Sequence, residues 1–159
     1  MLEKLFERAS PLVARLEKGG PFASPGEILE RARAVLESLS EEEKLAVINS
    51  HPRIGENPAA VQSQSPISYR EQGYDRETTP DEVLRELARL NAAYERKFGF
   101  RFVVFVNRRP KAAIVPVLKE RLERTREEEM ATALAEILAI AADRAQSLPA
   151  DEPPQRRRS

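Results

Sequence analysis

The sequence predicts an all-α protein: a single compact multi-helix domain over residues 1–148, followed by a tail, residues 149–159, expected to be disordered. Three observations carry this. Helix-start signals, Ser or Thr ahead of a helix-forming run and often followed by Pro, recur along the chain. Between them the apolar residues return at the helical period rather than alternating. A single short run, FRFVVFV (100–106), has strand propensity, and no second convincing strand is present to pair with it, so it is read as a buried extended connector.

Element by element, Ser10-Pro11 opens a short helix. Ser24-Pro25 with Glu27 three residues on has capping-box spacing and precedes a helix whose Ile28, Leu29, Ala32, Val35, Leu36 and Leu39 share a face. Ser40 with Glu43 repeats the device ahead of KLAVINS. Pro52 then disfavours helix through His51, because a residue before proline is pushed out of the helical region. His51 is therefore expected at a helix end. Residues 52–67, rich in Pro, Gly, Ser and Asn, read as a long connection with one helical turn near residues 59–62. Loops of that length in a compact domain tend to be functional.

Thr79-Pro80 with Glu82 is expected to cap the clearest helix, in which Val83, Leu84, Leu87, Leu90, Tyr94 and Phe98 form one stripe that ends at Gly99. Residues 111–124 read as a helix bent or restarted at Pro116, and residues 127–148 as a long final helix with Met130, Leu134, Ile137, Leu138 and Ala141 inward. The tail lacks apolar anchors.

Composition narrows the chemistry. The 159 residues carry 26 Lys plus Arg and 26 Asp plus Glu, so no net field points to nucleic acid or a membrane surface, and Arg108-Arg109 and the C-terminal arginines read as solvated charge. The absence of cysteine excludes disulfides, thiol catalysis and Cys-based metal sites. No run is apolar and long enough for a membrane span, and the N-terminus lacks the apolar stretch of a signal peptide, so a cytoplasmic protein is expected. No phosphate-cradling glycine pattern, calcium loop or HExxH helix occurs, and no metal is expected.

The sole histidine, His51, is the natural candidate for proton transfer near neutral pH, although a lone helix-end histidine more often only complements the helix dipole. Ser68 and Glu71, in SYREQ, have the spacing of a capping box. At a helix start, Glu71 could also accept from an imidazole N–H, and Gln72 could bond a planar heterocycle. Arg144 falls at the edge of the last helix's apolar stripe, where it either pairs within the fold or presents its guanidinium to a carboxylate or carbonyl of a substrate. Asn91, on a helical stripe, is expected to satisfy backbone groups.

The segments INSHPRIGE (48–56), SYREQ (68–72), LNAAYERKFGFRFVVFV (90–106) and EEEMATALAEILAIAADR (127–144) occur together in an order and spacing that resemble the OHCU decarboxylases, enzymes acting on 2-oxo-4-hydroxy-4-carboxy-5-ureidoimidazoline (OHCU) in urate breakdown. The resemblance spans residues 2–148. It implies a helical fold of that family's type, decarboxylation of OHCU to (S)-allantoin, no cofactor and a homodimer. It makes His51 the proton donor and Glu71 its partner. Pro52, Ser68, Tyr69, Arg70, Glu71, Gln72, Phe102, Val103, Val104, Phe105 and Val106 would line the substrate, and Arg144 would bind it. Two departures from the family pattern stand out: Arg53, where many members carry an acidic residue, and Arg101, where a proline is common. Neither is expected to touch the chemistry. The competing readings are a non-catalytic helical module and a lyase or hydrolase for a related ureide.

Overall fold

A computed structural model describes residues 2–6, 11–56, 61–62, 65–73 and 79–146 of the chain. The helices are α1 (Leu2–Leu5), α2 (Pro11–Gly19), α3 (Pro25–Ser38), α4 (Glu41–Ile48), α5 (Pro66–Glu71), α6 (Asp81–Phe98), α7 (Lys111–Arg121) and α8 (Arg126–Gln146). No strand occurs among the described residues, so the all-α expectation holds. The expected tail lies outside them.

The local signals act much as their chemistry requires. Ser24 caps α3 by accepting from Glu27 N–H, while the Glu27 carboxylate reaches one residue further back, to Ala23 N–H. Ser40 and Glu43 form the full reciprocal capping box of α4. Gly99 closes α6 at φ 84°, a left-handed conformation that glycine adopts without a Cβ penalty. Thr125 and Glu128 make a second reciprocal box at the start of α8, with Thr in place of Ser at the same three-residue spacing.

Two caps differ from expectation. Helix α6 begins on Pro80 with no side-chain cap, and Thr79 Oγ1 is buried with no hydrogen-bond partner among the described residues. The SYREQ segment does not open a helix at Ser68. Ser65 caps α5 by accepting from Ser68 N–H, with Pro66 in its first turn, so Ser68 lies inside the helix and Glu71 ends it. Proline's fixed φ and missing N–H favour Pro66 at the first helical position, and that moves the start three residues upstream.

The chain groups into two compact units, Met1–Ser50 with Ile137–Ser159, and His51–Glu136. In the first, α2 packs on α1, α3 and α4. The core includes Leu5, Phe6, Leu12, Leu16, Ile28, Ala32, Leu36, Val47, Ile48, Ile137 and Ala141, all buried. Removing such apolar surface from water contributes roughly 25 cal/mol per Å².

In the second unit α6 packs on α7, and Tyr94, Phe98, Phe100 and Phe102 form an aromatic cluster. Ring centroids lie 4.5 Å apart for Tyr94 and Phe98 and 5.4 Å for Tyr94 and Phe102, in tilted and edge-on arrangements that suit the ring quadrupoles. Residues 101–106 are neither helix nor strand, and Phe102, Val103, Val104 and Val106 are buried, as expected of the connector. Helix α7 runs from Lys111 to Arg121 with Pro116 inside it and does not restart there.

Candidate active site

His51 lies three residues beyond the last residue of α4, at the head of the loop into the second unit. It is only 6 % exposed, and Pro52 is buried beside it in sequence. Burial shields an imidazole from bulk water, which gives a proton-transfer group a defined environment.

The loop after His51 is held through its backbone. Arg101 Nη1 donates to the His51 carbonyl at 2.9 Å. The buried Gln72 amide spans the next turn, its Oε1 accepting from Gly55 N–H at 2.9 Å and its Nε2 donating to the Arg53 carbonyl at 3.2 Å. Asn91, from α6, donates to the Ile54 carbonyl at 3.0 Å, which is the backbone role expected of it. Gly55 sits at φ 77°, and a Cβ there would approach Leu87 Cδ1 to 2.8 Å, so both its backbone angle and its closeness to α6 require glycine.

Arg53 and Arg101, the two departures from the resembling pattern, both bear on this loop. The Arg53 guanidinium makes a two-bond pair with Glu95, at 2.7 and 3.1 Å, and also reaches Glu56. That hydrogen bond to Glu95, aided by both carboxylates' charge, raises the guanidinium's already high pKa. Arg101 reaches the backbone carbonyl of His51 rather than its imidazole.

Residues 102–106 are framed by charged side chains. Arg121 Nη1 donates to the Val103 carbonyl at 2.8 Å, and its guanidinium carbon lies 4.6 Å from the Phe102 ring centroid. Glu136 accepts from Phe105 N–H at 2.9 Å. Arg109 donates to the carbonyls of Phe105 and Val106 at 2.6 and 2.8 Å. Behind Arg121 the fully buried Glu129 also takes hydrogen bonds from Tyr94 Oη and Arg124. Burial, with the bond to Glu129 second, pushes the Tyr94 phenol well above its usual range. Nothing in the sequence singled out this network, since its members are separated along the chain.

The remaining candidates divide by position. Glu71 is half-buried at the end of α5, Ser68 is buried within it, Tyr69 is half-buried and Arg70 exposed. Hydrogen bonds bring together His51 with Arg101, and Gln72 with the turn at Arg53 and Gly55. Arg144 belongs to the first unit, buried on α8, where its Nη1 donates to the Leu5 carbonyl at 3.2 Å. Among the described residues no group of three or more His, Cys, Asp or Glu could hold a metal ion, and no helix is long and apolar enough to cross a membrane.

Comparison with known proteins agrees with this architecture. The family model described as OHCU decarboxylase matches residues 1–146. The chain is 33% identical over 148 residues to a uric acid degradation bifunctional protein of Bacillus sp. (strain TB-90), an alignment covering 93% of this chain and 29% of that protein. It is 29% identical to a 2-oxo-4-hydroxy-4-carboxy-5-ureidoimidazoline decarboxylase of Halalkalicoccus jeotgali, covering 87% and 78% of the two chains. The chain thus spans less than a third of the Bacillus bifunctional protein and most of the Halalkalicoccus decarboxylase. Among solved structures, a crystal structure of OHCU decarboxylase in the presence of (S)-allantoin superposes with a TM-score of 0.73 at 26% identity, covering 91% of this chain and 94% of the other. On the family match over nearly its whole length, this chain belongs to the OHCU decarboxylase family.

Proposed function

We propose that this protein decarboxylates OHCU to (S)-allantoin in urate breakdown, with His51 as proton donor and Glu71 as its partner. The observation that supports this most is the sole histidine, buried at the head of a loop tethered at His51 O, Arg53 O, Ile54 O and Gly55 N, in a member of this family. A proton donor must hold its position relative to the substrate, and a tethered loop supplies that order before the substrate arrives.

The chemistry asks for orientation rather than a dedicated electron sink. When the C–CO2 bond breaks, its electron pair passes into the conjugated imidazoline of the substrate, CO2 leaves, and a proton is returned to one face of the ring. Pyridoxal or thiamine is therefore unnecessary, and cofactor independence belongs to this reading. Residues 102–106 would line the ring, with Phe105 N–H already engaged by Glu136 and the Phe102 ring backed by Arg121. Among the described residues the Gln72 amide has one N–H and one oxygen lone pair beyond its two loop bonds, for one donated and one accepted contact. Arg144 would meet a carboxylate or ureido oxygen. A cytosolic homodimer completes the proposal, resting on the family resemblance.

The test is the ultraviolet decay of freshly generated OHCU with and without the protein, followed by chiral analysis of the allantoin formed. Accelerated decay with an excess of the (S) enantiomer is expected, unchanged by dialysis against a chelator. His51→Asn is expected to abolish the acceleration while circular dichroism shows that the helical fold is kept. A racemic product at the uncatalysed rate would favour a helical binding module instead.

A further inference from the structure

We propose that Arg101 is a positioning residue for His51: its guanidinium holds the His51 carbonyl and so sets where the imidazole sits relative to residues 102–106. This rests on the reading of His51 as proton donor. The two residues are fifty positions apart, and Arg101 Nη1 reaches the carbonyl at 2.9 Å. Arg101 is itself the residue before Phe102, so this one bond ties the backbone at the proton donor to the start of the segment proposed to line the substrate. The far end of that segment is fixed independently by Arg109 and Glu136, and its middle by Arg121.

The His51 carbonyl needs such a donor. His51 is buried, and a buried carbonyl left without a donor costs free energy comparable to a lost hydrogen bond. A cationic donor makes a stronger bond to a carbonyl than a neutral one. Beyond this point Gln72 and Asn91 secure Arg53, Ile54 and Gly55. Arg101 therefore governs the one tethered carbonyl that belongs to the histidine itself. Misplacement of a reacting group by about 1 Å can cost about a hundred-fold in rate.

The experiment compares Arg101→Met, Arg101→Lys and, as a control, Arg89→Met, which removes an exposed ion pair with Glu86. His51 is the only histidine in the chain, so labelling histidine with 13C at the carbonyl and at ring Cε1 gives one signal for each site. In Arg101→Met both signals are expected to move from their wild-type positions, and kcat for OHCU to fall about ten- to a hundred-fold with KM changed less than about three-fold. In Arg101→Lys, where one ammonium can still serve one carbonyl, the carbonyl signal and most of kcat are expected to return. Arg89→Met is expected to change neither. An unmoved carbonyl signal in Arg101→Met overturns the proposal, as does wild-type kcat despite a moved signal, or a lost kcat in Arg101→Lys with the signal retained. If the wild-type protein leaves OHCU untouched, the proposed function fails, while the carbonyl and ring signals still decide whether Arg101 positions His51.

Discussion

Arg121 and Glu129 form an ion pair 2.7 Å long whose side chains are 6 % and 0 % exposed, and the same guanidinium holds the Val103 carbonyl. Breaking a buried pair by removing one partner strands a charge, which costs about 3–5 kcal/mol. Arg121→Met is therefore expected to lower the melting temperature by on the order of 10 °C in a domain of this size. A loss under about 1 kcal/mol in denaturant titration would show that Tyr94 and Arg124 already satisfy Glu129.

Tyr94 gives that network a pH signature. Its phenol is held above the ordinary value of 10.0, chiefly by burial and then by its bond to Glu129. A raised folded value means that the unfolded chain sheds this proton first, so the contribution is whole below pH 10 and is lost as pH rises past it. Wild-type stability is expected to fall more steeply than that of Tyr94→Phe above about pH 10, by up to about 1.4 kcal/mol per pH unit. Parallel slopes in alkaline urea titrations would contradict this.

Gln72 is expected to act on the loop before it acts on substrate. Gln72→Leu leaves Gly55 N–H without this partner and the Arg53 carbonyl with its bond from Glu56 N–H, at up to about 1–3 kcal/mol for a polar group stranded on the loop. The measurement is the urea midpoint together with kcat and KM for OHCU. A raised KM at unchanged stability would assign the amide to the substrate alone.

Arg144→Lys separates geometry from charge. The planar guanidinium can meet two oxygens at once and an ammonium cannot, so loss of one charge-assisted contact is expected to cost about 1.5–3 kcal/mol, or about ten- to a hundred-fold in kcat/KM. Unchanged kcat/KM with a lowered melting temperature would restrict Arg144 to its bond with the Leu5 carbonyl and the packing of α8.

The sequence by itself determined the helical character, the helix starts marked by Ser24 and Ser40, the stop at Gly99, the buried connector at 100–106 and the choice of His51 as the sole imidazole. These are local: a cap needs a hydroxyl three residues from an N–H, and a helical face needs only a period. The Thr125 box was equally legible, and Ser65 competed with Ser68 through a spacing both share, which the proline decided. Only the tertiary structure decided that His51 is buried, that Gln72 clamps the turn at Gly55, and that Arg101 and Arg121 serve backbone carbonyls rather than solvent. A long side chain's partner depends on which distant segment packs within its reach, and for Arg101 that segment lies fifty residues away, beyond what any local pattern encodes.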